Sequence, residues 1–330
     1  MRIRKPTCFD DFRCIASACP DSCCKEWDVQ VDGAFAEYYR SLPGDLGDRL
    51  RSVLKDEDGE TYMVIEDGRC PMWRRDGLCR IQSELGEGAL CKTCREFPRL
   101  THDYGDFVEL GLELSCPEAA RMILSRDTAS VETEIPGEGV PEYDEDAMAV
   151  LKATREKVLA LLADAARPVN VSLALAFLYG CQAQGELDSG ETMPFDAEAA
   201  LESAREMAKA GGESGILDFF AGLEILTPRW RELLAAPAPM DWQEGFRRLA
   251  RYFVERYWLQ AVSDYDLYSR VKLMVVSCLV IRAVGGELAE TAQLYSKEIE
   301  NNIDNVETIL DGAYTHPAFT DDKLLGMLLR

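Results

Sequence analysis

Ten of the twelve cysteines, Cys8, Cys14, Cys19, Cys23, Cys24, Cys70, Cys79, Cys91, Cys94 and Cys116, fall within the first 116 of 330 residues. They form two runs, Cys14-x4-Cys19-x3-Cys23-Cys24 and Cys70-x8-Cys79-x11-Cys91-x2-Cys94, with Cys116 following in SCPEAAR. Thiolates gathered in this way repel one another and raise each other's pKa unless a cation neutralises them. A metal does that directly. Structural zinc takes four tetrahedral ligands, commonly from two short Cys pairs, and iron–sulfur clusters also take four thiolates. Only Cys91-x2-Cys94 has the zinc-like spacing, and adjacent Cys23 and Cys24 cannot easily bring both sulfurs to one zinc. The irregular spacing therefore leans toward iron–sulfur, with zinc as the alternative. A disulfide framework fits less well, because disulfide-dense proteins are usually short, secreted and poor in core. The opening MRIRKPTCFDDF has no apolar run behind its basic residues, so no secretory leader is expected and a reduced, cytoplasmic setting is. His102 and His316 stand in no ligand-spaced pair and read as surface or capping residues. Cys181 and Cys278 lie in apolar helical runs and read as core.

Positioning these thiols requires a scaffold, and 330 residues allow more than one structural unit. The expected fold is mainly α: a cysteine-rich, loop-rich metal-binding region with a few short strands over residues 1–125, an acidic linker over 126–146, and an all-helical domain over 147–330. In the first part, helices are expected at Gly33–Ser41, Gly47–Leu54 and Glu118–Ser125, with Pro117 in a helical first turn. Strands are expected at Thr61–Glu66 and Phe107–Leu114. Such a region has little apolar core, so metal cross-links would supply stability. The stretch RDTASVETEIPGEGVPEYDED carries acidic charge, two prolines and two glycines without apolar periodicity, which reads as a connector. Helical periodicity then runs through Ala147–Ala166, Val169–Gln184, Asp196–Ala210, Gly215–Leu226, Trp230–Leu234, Trp242–Ser263, Tyr265–Val284, Gly286–Leu310 and Asp321–Leu329. The stripe Leu288, Ala292, Tyr295, Ile299, Ile303, Val306 marks one long helix with a core face. No apolar run approaches the roughly 20 residues of a membrane span. The formal net charge of −23 disfavours nucleic acid and anionic membrane surfaces as partners.

The runs DFRCIASACPDSCCKEWDVQVD (Asp11–Asp32), GRCPMWRRDGLCRIQSELGEGALCKTCREFPR (Gly68–Arg99) and LELSCPEAAR (Leu112–Arg121) resemble the flagellin lysine-N-methylase family, in order and in spacing. A weaker echo lies at Arg256-Tyr257-Trp258 and at TAQLYSKEIENNIDNV (Thr291–Val306). The resemblance implies methyl transfer from S-adenosylmethionine to the ε-nitrogen of lysines on a protein substrate, flagellin, by a protein carrying a [4Fe-4S] cluster. Carried over residue by residue, the family pattern falls on Cys14, Cys19, Cys23, Cys24, Cys70, Cys79, Cys94 and Cys116, leaving Cys8 and Cys91 as extras. Eight thiols could serve two four-ligand sites, or one cluster and a second set with a structural or redox role. Cys23 and Cys24 would then face different partners. Trp27 and Phe97-Pro98-Arg99 sit beside the thiols as a hydrophobic cover, and Arg99 could balance a negatively charged cluster or bind a carboxylate.

A methyl-donor site of the usual kind would show a strand, a glycine-rich turn opening a helix, and an acidic residue about 20 positions on. The sequence contains no such unit. It also lacks Cys-x3-Cys-x2-Cys, since Cys19-x3-Cys23 is followed at once by Cys24. Donor-binding and catalytic residues are therefore not assigned. Lysine methylation needs a neutral, aligned amine, and Tyr252, Tyr257, Trp258 and Tyr295 could line an aromatic tunnel for it, although their helical spacing equally suits core. The competing reading is a non-catalytic zinc or iron–sulfur protein that docks a partner or carries electrons.

Overall fold

The computed structural model describes residues 1–25, 29–126, 129–137, 139–211 and 215–330. Seven strands occupy the first 134 residues: β1 (Arg2–Pro6), β2 (Val29–Val31), β3 (Leu54–Glu57), β4 (Glu60–Met63), β5 (Arg99–Asp103), β6 (Phe107–Leu112) and β7 (Ser130–Glu134). Five helices are interleaved with them: α1 (Gly33–Ser41), α2 (Gly44–Val53), α3 (Arg80–Leu85), α4 (Lys92–Glu96) and α5 (Pro117–Ser125). Ten more follow: α6 (Glu145–Ala163), α7 (Val169–Ser189), α8 (Ala197–Ala210), α9 (Ile216–Ala221), α10 (Pro228–Ala235), α11 (Gly245–Tyr257), α12 (Leu267–Val284), α13 (Leu288–Tyr295), α14 (Ile303–Thr315) and α15 (Asp321–Leu329). The protein is thus mainly helical, with its strands in the N-terminal part. No helix among the described residues is long and apolar enough to cross a membrane.

The strands make two sheets. β2, β4 and β3 form a small antiparallel sheet, and β5-β6-β1-β7 form a second, in which β1 runs parallel to β6 and antiparallel to β7. Charge explains the second pairing. The basic strand RIRKP lies against the acidic strand SVETE, with Arg2 opposite Glu134 and Arg4 opposite Glu132, and opposite charges on facing strands favour pairing. The stretch expected to be a bare connector therefore contributes an edge strand. Further along it, the chain crosses the β5–β6 turn so closely that a Cβ on Gly105 would stand 2.0 Å from the Val140 carbonyl oxygen. Gly105 also has φ +90°, a region glycine enters without steric cost.

Two cores result. Val29, Val31, Tyr39, Leu50, Met63, Met72 and Ile81 pack into a small one together with Cys70 and Cys91. The larger one joins Cys8, Phe12, Phe107, Leu114 and Cys116 to the helices that follow, so β6 and α5 bury their apolar faces against α6, α11 and α13. The docking is also polar. Arg155 of α6 donates to both oxygens of Glu109 on β6 at 2.9 and 2.8 Å, and both side chains are buried.

The expected helix over Gly286–Leu310 divides into α13, a π turn at Ser296–Glu300, and α14. The break has a polar cause. The buried carboxylate of Glu298 accepts the N–H groups of Leu226 and Thr227 at 2.7 and 2.8 Å, and the Asn302 side chain caps α14 by accepting from Asn305. Ile303, which the periodicity put in the core, is left 71% exposed. Within the small sheet, the strand expected at Thr61–Glu66 is the shorter β4.

Removing one partner of a buried ion pair strands the other charge, at about 3–5 kcal/mol, whereas replacing both by apolar groups is often nearly neutral. Urea unfolding should therefore show Arg155→Met destabilised by about that amount, with much of the loss recovered in Arg155→Met/Glu109→Leu.

Candidate metal centre and adjoining buried polar cluster

The small core and the larger one take up six of the ten N-terminal thiols. Cys70 and Cys91 lie inside the small core with Cys24 and Cys79 packed against it, while Cys8 and Cys116 belong to the larger. Electrostatics follow the same division. Cys116 is raised to about 11 by burial, with Cys19 and Cys14 adding to the shift, and Cys23 also experiences Cys14 and Cys116. Cys94 is raised by Cys91, then by burial, and by Cys24 and Cys70; Cys79 is raised by burial and by Cys24 and Cys91. One set is therefore Cys14, Cys19, Cys23 and Cys116, and the other is Cys24, Cys70, Cys79 and Cys94 with Cys91 added. All twelve cysteines are thiols.

Adjacent Cys23 and Cys24 sit at the junction. The Cys23 thiol donates to Cys24, holding Cys24 low and pushing Cys23 up, and Cys70, whose thiol donates to the Met63 sulfur at 3.4 Å, lies against Cys24 as well. Cys91 falls to about 7 because the Cys94 thiol donates to it. Local backbone supports this chemistry. Cys79, Cys91 and Cys116 each precede a helix, α3, α4 and α5; none caps it with a hydrogen bond, but the nearby backbone N–H groups favour each thiolate. Tyr39 fixes the second set by accepting the Cys91 N–H and donating to the Ala89 carbonyl, each at 2.8 Å. Among the described residues, no three Cys, His, Asp or Glu side chains stand close enough together to hold one metal ion.

The first set is anchored to the helical part through Asp21, which lies between Cys19 and Cys23. Burial opposes its ionisation, but Lys25 at 2.6 Å and Lys297 at 3.2 Å hold its carboxyl below the usual range. Gln293 of α13 donates both to Asp21 at 3.3 Å and to the Ser115 carbonyl at 2.9 Å. Lys297 opens onto the π turn, and beyond it lies a buried polar cluster. Glu300 accepts from Tyr252 at 3.1 Å and Tyr257 at 2.8 Å and pairs with Arg256 at 3.2 Å. Glu113, also buried, is raised by desolvation and feels both Arg256 and Glu300.

Of the expected aromatic quartet, only Tyr252 and Tyr257 reach this cluster. Trp258 donates to Thr154 and Tyr295 pairs with Ser277, both in the core. Arg99 is exposed and lies over the Phe12 ring at 5.2 Å, and Phe97 packs against the larger core. Trp27 lies outside the described residues. Cys181 and Cys278 pack with the helical core as expected. His316 caps the turn at Pro317–Phe319 by accepting from Ala318. His102 departs from expectation: it lines a cavity between the β5-β6-β1 sheet and helices α6 and α11, and its Nε2 is buried without a partner.

A stretch of 142 residues is 32% identical to lysine-N-methylases of Salmonella choleraesuis (strain SC-B67) and Salmonella typhimurium (strain LT2), and 133 residues are 33% identical to the flagellar biosynthetic protein FliU of Salmonella muenchen. The match covers 77% of FliU and 37% of this chain. The chain belongs to the flagellin lysine-N-methylase family. It spans about a third of the two lysine-N-methylases, 35% of each, and those matches take in 40% of this chain. No family model and no solved structure matches it. Glu113, Glu300 and the Arg155–Glu109 pair were not singled out from the sequence. Glu113 lies inside the family run Leu112–Arg121, and Arg256 and Glu300 lie inside the weaker echo at Arg256-Tyr257-Trp258 and Thr291–Val306.

Burial lowers the His102 pKa, with Arg256 adding to the effect. Folded protein therefore resists protonation there while the unfolded chain, near 6.5, accepts it, so His102 erodes stability as pH falls below that value. Chemical denaturation at pH 8 and pH 5 should show His102→Gln losing less stability on acidification than the parent.

Proposed function

We propose that this chain transfers methyl groups from S-adenosylmethionine to lysine side chains of a protein substrate, flagellin being the substrate class, and that its thiols hold a [4Fe-4S] centre. Family membership supports the reaction. The observation that supports it most within the chain is the contact of Asp21, which lies between Cys19 and Cys23, with Lys297 on the turn that also carries Glu300. Four thiols in the first set match the number of ligands a four-iron cluster takes, and the Cys91-x2-Cys94 pair keeps zinc as the alternative for the second set. A bound cluster with an exchangeable iron position would supply a point of attachment for the methyl donor.

The chain's own residues have a separate task. A lysine amine must lose its proton before its nitrogen forms the new N–CH3 bond as the S–CH3 bond breaks and a neutral thioether departs. Glu113 suits the proton acceptor's role, because desolvation raises its carboxyl toward working pH. Glu300 suits it less, since Arg256, Tyr252 and Tyr257 already occupy its oxygens. Those three groups instead give the cluster a fixed geometry.

Anaerobically prepared protein should carry iron and acid-labile sulfide and pass labelled methyl from S-adenosylmethionine to flagellin lysine. Glu113→Gln should keep its metal and lose about 10²–10⁴ in rate. Cys116→Ser and Cys70→Ser should each lower bound iron, and Cys181→Ser should not. Colourless protein with stoichiometric zinc and no transfer would leave the docking-module reading in place of the enzyme.

A further inference from the structure

The cavity beside His102 has about 50 Å³ of accessible space and is open at its mouth. Strands β5, β6 and β1 form its floor, with α6 and α11 above. Pairing across the strands puts Leu100 opposite Gly111 and His102 opposite Glu109, with Arg4 beyond Glu109. Gly111 is thus the place in the floor where a side chain is missing. Nothing local requires glycine there. Its φ is not in the left-handed region, and an added Cβ would meet only the Leu100 side chain, at 3.7 Å or more. A glycine inside a central strand weakens the sheet, and it commonly marks close approach by a ligand or another backbone. No backbone approaches here.

The walls differ in chemistry. Leu100, Leu112 and Ile123 give an apolar side, while Arg4, Arg155 and His102 bring N–H donors beside the carboxylates of Glu109 and Glu255. Two of those donors are unspent, since the Arg155 Nε and the His102 Nε2 are buried without partners. Arg155 uses its terminal nitrogens on Glu109 and leaves Nε over the cavity. Native structures rarely leave such groups unpaired, and guanidinium N–H groups suit carboxylate oxygens.

We propose that this cavity binds a small organic carboxylate with an apolar body, seated over Gly111 with its carboxylate on Arg155 and His102. Resting on the methyl-transfer reading, the ligand that the reaction would bring is S-adenosylmethionine, whose methionine end has this chemistry; free methionine is the other source. The test is calorimetric binding to full-length anaerobic protein of S-adenosylmethionine, its decarboxylated analogue and L-methionine. Gly111→Val should bind at least tenfold more weakly while melting no lower than the parent, because valine favours strands. His102→Leu and removal of the ligand's carboxylate should each weaken binding by a similar factor. Equal binding of S-adenosylmethionine by parent, Gly111→Val and His102→Leu would overturn the cavity and leave methyl transfer standing. Gly111-dependent binding of methionine alone would keep the cavity and remove the donor. Absence of binding by all three compounds would overturn the proposal.

Discussion

Arg155 and Glu109 meet where water does not reach, and the arrangement of the chain depends on that contact. Either charge alone would be expensive to bury, so each fixes the place of the other, and β6 and α6 dock with the pair in register. The pair sets the N-terminal sheet on the helices, and the apolar contacts of Phe107, Leu114 and α5 close around it. With the sheet seated, Cys116 at the start of α5 comes to lie beside α13, and the cavity between sheet and helices acquires its roof. Geometry at the thiols and geometry at the polar cluster are then two results of one docking event.

Adjacency of Cys23 and Cys24 does related work at shorter range. Their thiols are hydrogen-bonded to each other, and beyond that contact Cys23 faces Cys14 and Cys116 while Cys24 meets Cys70. A single turn thereby tethers the small core, which holds Cys70, Cys79 and Cys91, to the larger core that holds Cys116. Thiols in the two sets share protons along this line, and any cation that relieves one set changes the charge felt by the other.

Much of the fold was legible because its signals were local. The helices after Glu145 follow apolar periodicity, and Gly33–Ser41 and Asp321–Leu329 agree with it to the residue. Signals carried by partners far along the chain were not legible. β7 is acidic and without apolar alternation, and it becomes a strand because a basic strand more than a hundred residues earlier lies beside it. The break at Ser296–Glu300 depends on the N–H groups of Leu226 and Thr227, which no window around Glu298 includes. The thiols were visible from type and spacing, yet their division into sets depends on which core each segment joins. Periodicity could not separate Tyr252 and Tyr257 from Trp258 and Tyr295, since all four are buried and only their hydroxyl or indole partners differ.

The contact between Lys297 and Asp21 spans 276 residues. During synthesis at roughly 5–20 residues per second, Asp21 and its flanking cysteines leave the ribosome on the order of 15–60 s before Lys297 does. Over that interval the first thiol set lacks Cys116 at first and Lys297 until late, while Cys24, Cys70, Cys79 and Cys94 are complete within the first hundred residues. The nascent chain therefore offers its two thiol sets to the cell at different times, and the order in which they close is written into the order of the sequence.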